Sequence, residues 1–156
     1  MKIAVFSDSH GDTESMLHAV RVWQPDLILH LGDHALDAEE LRAECGIQTR
    51  YVKGNCDLAS AARDSDIFEY DGVKIMMCHG HRHRVKMTLD SLLNAAWFSH
   101  ADIVLYGHTH IAHLEDMDGL LVINPGSIGT GRRPSWAKLE INDGVPQAEI
   151  VYLDAL

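Results

Sequence analysis

Apolar residues fall in short unbroken runs, and each run stops at residues that can donate to a metal. Residues 2–7 read as a buried strand, as do Leu27-Ile28-Leu29-His30-Leu31 and Ile103-Val104-Leu105-Tyr106. Between the first two, Met16, Leu17, Val20 and Trp23 lie on one stripe at helical spacing, with Asp12 placed to cap the helix. His18 falls off that stripe and is expected in solvent. Strand, helix and strand within about thirty residues predict a right-handed parallel βαβ unit. A short helix should follow, opened by a capping box of Asp37 and Glu40 and stopped by Gly46, with Cys45 buried near its end. Another strand is expected near Thr49–Lys53. Ile67–Tyr70 and Val73–Cys78 flank Asp71-Gly72, a two-residue hairpin turn. Leu89, Leu92, Leu93 and Ala96 predict a third helix. Further hairpins are marked by Asp118-Gly119 and, in a slightly longer loop, by Asn142-Asp143-Gly144, with a turn at Asn124-Pro125-Gly126-Ser127 between them. The last strands run through residues 135–153. The pattern is that of one α/β domain over residues 1–156, with either a mixed sheet or two packed sheets.

The run ends carry the chemistry. They are Asp8-Ser9-His10, Gly32-Asp33, Gly54-Asn55-Cys56-Asp57, Cys78-His79-Gly80 and Gly107-His108-Thr109-His110. Ligands of open α/β sheets gather beyond the carboxyl ends of the strands. Neutral imidazole is the commonest metal ligand, and a carboxylate can share its two oxygens between cations. If the backbone stays extended, Asp8 and His10 project together, and so do His108 and His110. Gly107 and Gly32 are expected to let the chain leave its strand at a sharp angle. Asn55 would ligate through its amide oxygen, while Asp57 orients a neighbour. His34 is expected at the surface or behind the ligands. His81 and His83 lie among Arg82, Arg84 and Lys86. That cluster is either a solvated basic turn or a rim for a phosphate ester, evenly balanced for His81 and bland for His83. Arg132 and Arg133, in a Gly/Pro-flanked loop, are weaker candidates for substrate contact. The five run ends are expected to converge on a pair of metal ions.

Composition narrows the partners. No apolar run approaches the ~20 residues that span a bilayer, and Met1–Phe6 meets Asp8 too soon for a secretory segment. A formal net charge of −10 argues against binding duplex nucleic acid but not against a phosphate substrate, because bound cations dominate the local field. The three cysteines do not suggest a disulfide framework, so a reducing cytoplasmic location is expected.

Taken together and in order, the five motifs resemble those of the calcineurin-like metallophosphoesterases, and Gly-Asn-Cys-Asp with Asn124–Ser127 looks most like their small bacterial and archaeal phosphodiesterase branch. The resemblance implies a two-sheet sandwich flanked by helices (α/β/β/α). It implies that Asp8, His10 and His110 hold one metal, that Asn55, His79 and His108 hold the other, and that Asp33 bridges both. Many members of the larger superfamily carry histidine where this chain has Cys56. The general acid therefore falls to His81 or a metal-bound water, with Cys56 a poor candidate near an ordinary thiol pKa of ~8.5. Oxygen and imidazole ligands suit two divalent ions, manganese first, with nickel, iron, zinc or cobalt as alternatives. Two such ions bring +4, and Asp8, Asp33 and a bridging hydroxide remove three, which leaves net positive charge for a phosphoester. The expected reaction is hydrolysis of small phosphodiesters by in-line attack of that hydroxide. The rival readings are a phosphomonoesterase, a nuclease of the same superfamily, and a non-enzymatic scaffold like the retromer subunit of this fold. A homodimer is plausible by resemblance.

Overall fold

The computed structural model describes residues 1–154. In chain order the elements are β1 (Lys2–Phe6), α1 (Thr13–Trp23), β2 (Leu27–His30), α2 (Ala35–Cys45), β3 (Gln48–Tyr51), β4 (Ser65–Tyr70) and β5 (Val73–Cys78). A single 3-10 turn (His81–His83) precedes α3 (Asp90–Phe98), β6 (Ile103–Leu105), β7 (His113–Met117), β8 (Leu120–Asn124), β9 (Ser135–Asn142) and β10 (Val145–Tyr152).

The strands form two five-stranded sheets, ordered β10-β9-β1-β2-β3 and β4-β5-β6-β8-β7. In the first, β1, β2 and β3 are parallel and β9 is antiparallel to β1. In the second, β5, β6 and β8 are parallel, with β4 and β7 antiparallel at the two edges. The unbroken apolar runs now have a cause. Side chains alternate across a strand, and both faces of the central strands are covered. Ile3, Val5, Leu27 and Leu29 meet Ile75, Met77, Ile103 and Leu105 between the sheets. Ala4, Phe6 and Ile28 face Met16, Ala19, Val20 and Leu41 of α1 and α2. Met76, Val104 and Val122 face Leu92, Leu93 and Ala96 of α3. The layers are therefore helix, sheet, sheet and helix, as the resemblance implied, and the choice between one mixed sheet and two packed sheets falls to two.

The local readings mostly hold. Asp12 caps α1 by accepting from the Ser15 N–H at 3.0 Å. Asp71 and Gly72 both take positive φ, as the tight hairpin turn between β4 and β5 requires. Two readings need correction. Asn142 pairs with Val145, so the last hairpin has a two-residue loop, Asp143-Gly144, rather than a longer one. The capping box at Asp37 and Glu40 does not form. Helix α2 starts earlier, at Ala35, after His34 in left-handed conformation with no side-chain cap. Asp37 instead turns inward, accepting from the Ser9 hydroxyl and the Gly11 N–H at 2.7 Å each.

Candidate metal centre

The loops that leave β1, β2, β5 and β6 meet at one end of the sandwich. The expectation of extended backbone there is wrong. Asp8, His10, Asp33, His108 and His110 all have φ between 47° and 71°. That left-handed conformation costs a residue with a Cβ roughly 1–2 kcal/mol. It turns the chain sharply just past each strand, so the side chains stay at the sheet's edge. His108 and His110 each join a different group, as the resemblance implied.

One group is Asp8, His10 and His110 and the other is Asp33, His79 and His108; within each, the potential ligand atoms lie within 4.8 Å of one another. Asp8 Oδ1 is 3.2 Å from His110 Nε2 and 4.0 Å from His10 Nε2. His79 Nε2 is 3.4 Å from Asp33 Oδ2 and 3.2 Å from His108 Nδ1. Asp8 Oδ1 also lies 3.7 Å from His79 Nε2, so the groups share a wall.

Each carboxylate has one oxygen bound and one free for the centre. Asp8 Oδ2 accepts from the Ser7 hydroxyl at 2.6 Å and the His108 N–H at 3.1 Å. Asp33 Oδ1 accepts from the Cys56 N–H at 2.9 Å. The imidazoles are oriented in the same way. His79 Nδ1–H donates to the Leu31 carbonyl at 2.8 Å, which leaves Nε2 with its lone pair. His110 Nδ1 bonds Thr130 Oγ1 at 3.1 Å, Thr130 bonds Ser127, and the Ser127 hydroxyl donates to the Asp8 carbonyl at 2.7 Å. Asp8 Oδ1 and His10 Nε2 are buried without a hydrogen-bond partner. Buried polar atoms are rarely left so, and these are the atoms a cation would take. The donor set fits divalent metal.

Electrostatics follow the same geometry. Burial alone would raise the Asp33 carboxyl, but the adjacent His79 imidazole and the Cys56 N–H hold it well below the usual carboxylate range. Burial would lower His79, yet Asp33 and Asp8 raise it above the ordinary imidazole value. His108 is lowered by burial and by neighbouring His79.

Glycines here supply room. A Cβ on Gly107 would strike Ser7 Oγ, and one on Gly54 would strike the Asp33 carboxylate. Gly107 is thus needed for space rather than for a sharp exit, whereas Gly32, at φ +101°, combines a strained turn with contact against Gly54. Asp57 does orient its neighbours: its carboxylate accepts from the Asp33, Ala35 and Gly54 N–H groups at 2.8–2.9 Å.

The remaining candidates fall around this centre. Asn55 is exposed, and its amide donates toward Cys56 Sγ at 3.6 Å. The Cys56 thiol is pushed up by burial and by the Asp33 charge. The His81 ring centre is 5.5 Å from that of His79 and 6.2 Å from that of His108, and its Nδ1 is buried without a partner. Burial lowers its pKa. His83 bonds Ser91, and His34 is exposed beside His10. Arg133 is exposed and paired with Asp154, and Arg132 is exposed in the same loop.

Sequence reasoning missed one supporting network. The Gly32 N–H donates to His30 Nδ1 at 3.1 Å, so His30 Nε2–H donates to Ser9 Oγ at 2.8 Å, and Ser9 donates to Asp37. This chain fixes Ser9 between the candidate ligands Asp8 and His10. Its one trace in the sequence is a histidine inside an otherwise aliphatic run.

Residues 1–144 match the calcineurin-like phosphoesterase superfamily domain. The chain is 32% identical over 150 residues to a "probable metallophosphoesterase" of Mycoplasma pneumoniae, covering 92% of this chain and 91% of that relative. It is 30% identical over 146 residues to a phosphodiesterase of Methanocaldococcus jannaschii, covering 81% and 83%. A crystal structure of a predicted phosphoesterase from Streptococcus pneumoniae superposes with a TM-score of 0.80 at 28% identity, covering 97% of this chain and 88% of that one. With the ligand clusters in place at the strand ends, the chain belongs to the calcineurin-like phosphoesterase superfamily.

Proposed function

We propose that the protein is a two-cation phosphodiesterase that hydrolyses small phosphodiesters by in-line displacement, working in the cytoplasm. The observation that carries this reading is the shared wall: Asp8 Oδ1 reaches imidazoles of both ligand groups, at 3.2 Å and 3.7 Å. Asp8, His10 and His110 would hold one ion, and His79, His108 and Asn55 the other, with Asp33 reaching both. Divalent cations there supply Lewis acidity toward the phosphoryl oxygens and a nucleophilic water at neutral pH. Kinship with the archaeal phosphodiesterase supports the diester. Manganese is the preferred ion.

The chain's own residues set the rest. Asp57 and Cys56 N–H fix Asp33 from behind. Cys56 is a poor proton donor because its thiol is raised. His81 stands next to the second group, but burial keeps it mostly neutral near pH 7. It delivers the leaving-group proton from a minority protonated form, or hands the role to water. The complete ligand set favours an enzyme over a scaffold.

Reconstitution with manganese, nickel, zinc, iron or cobalt, followed by assay on monoesters, linear diesters and cyclic nucleotides, tests the reading. Linear or cyclic diesters should be cleaved fastest, and Asp33→Ala should abolish cleavage and deplete both metals. Full metal content in that variant by elemental analysis would contradict a bridging role, and monoester-only turnover would contradict the diester preference.

A further inference from the structure

We propose that the cleft beside His110 seats a nucleoside arm of the phosphodiester, which rests on the phosphodiesterase reading above. The cleft measures about 440 Å³, within the range of small-molecule sites. Its lining includes His110, Ile111, Arg132, Arg133 and Tyr152. Because His110 belongs to the first ligand group, whatever fills the cleft borders that group.

The floor is suited to a flat ring. The Arg133 guanidinium lies 3.7 Å from the Tyr152 ring centre. Two of its N–H groups bind the two oxygens of Asp154 at 3.2 Å each. Arg133 thus turns that edge of its guanidinium to Asp154. What it offers is a planar cation fixed in place and open to solvent. Guanidinium planes and aromatic rings are the surfaces on which splayed nucleobases stack. Ile111 adds an aliphatic side chain that is 71% exposed. Arg132 also lines the cleft and has no ion pair among the described residues, so its charge is available to an anionic part of the ligand. A second cleft flanks the centre near Cys56, at about 290 Å³; its lining has the His34 imidazole with Leu36, Leu58 and Asp57 but no guanidinium. Of the two, the cleft on the His110 side carries a guanidinium packed on an aromatic ring.

Two p-nitrophenyl diesters isolate the arm, because they share a leaving group: thymidine 5′-(p-nitrophenyl phosphate) and methyl p-nitrophenyl phosphate. The reconstituted wild type should prefer the thymidine ester at least about tenfold in kcat/KM, the scale of one base stack. Arg133→Ala and Ile111→Ser should each pull that ratio toward one, mainly through KM of the thymidine ester. A wild-type ratio near one, or a ratio unmoved in both variants, overturns the proposal. The metal-free protein gives a second readout by amide NMR. Thymidine 5′-monophosphate should shift Ile111, Ala112 and Gly131–Arg133, and ribose 5-phosphate should not. If neither ester is cleaved, the phosphodiesterase reading fails, while the NMR titration still decides whether the cleft takes a nucleoside; equal shifts with both ligands, or none, overturn it.

Discussion

At the scale of single residues, the candidate ligands are held by side chains outside the two groups. His30 is the clearest case. Burial, opposed by the charges of Asp8 and Asp37, pushes its pKa down to about 4 from an ordinary 6.5. The folded protein therefore holds His30 neutral, while the unfolded chain binds a proton below pH 6.5. Stability from this residue is complete above that pH and is lost as pH falls toward 4, by on the order of 2 kcal/mol between pH 7 and pH 5. His79 works the other way: its raised pKa adds stability at low pH that is lost as pH rises through the folded value. The comparison with His30→Gln separates them. Urea unfolding of the metal-free proteins at pH 7 and pH 5 should show a smaller acid loss in the variant. Equal losses would mean that His30 is not the buried neutral group described here. Asp37 shows why such residues hide in a sequence. Its spacing to Glu40 satisfies a capping rule, yet the partner it takes, Ser9, lies on another loop.

At the scale of elements, sequence pattern was a good guide wherever the cause was local. Asp12 caps α1, the stripe of Met16 and Val20 faces the core, and Asp71-Gly72 turns a hairpin. Asp12 also takes the Ser15 hydroxyl at 2.8 Å, so Asp12→Ala removes both bonds at the N-terminus of α1. The expected cost is about 1 kcal/mol of global stability, read as a lower urea midpoint at unchanged slope. The cap lies in the loop that carries Asp8 and His10. A loss of metal content with no loss of stability would place its role in the loop instead of the helix. Backbone conformation at the strand ends was not legible. Extended and left-handed turns can carry the same residue types, and the close approach of distant backbone, as of Gly107 to Ser7 and of Gly54 to Asp33, is not written in either turn.

For the molecule as a whole, the centre joins the two sheets. Asp8, His10 and Asp33 follow strands of one sheet, and His79, His108 and His110 follow strands of the other. Cation binding should therefore stabilise the whole sandwich. Saturation at a thousandfold excess over Kd contributes about 4 kcal/mol for one site, or a rise in Tm of roughly 10 °C at this size. Calorimetry with manganese and then with excess chelator should show a fall of that order, and Asp8→Asn should abolish the difference. An unchanged Tm on chelation would mean that the ions do not couple the sheets. Among the described residues, no helix is long and apolar enough to cross a membrane.

The sequence by itself determined the order of elements, the buried strands and the ligand types, because each arises from local periodicity or from the chemistry of one side chain. Only the tertiary structure decided that the turns carrying Asp8, His10, Asp33, His108 and His110 are left-handed, that Asp37 bonds Ser9 instead of capping α2, and that Arg133 pairs with Asp154. Those outcomes depend on which distant backbone comes within a few ångströms, and no spacing along the chain records that distance.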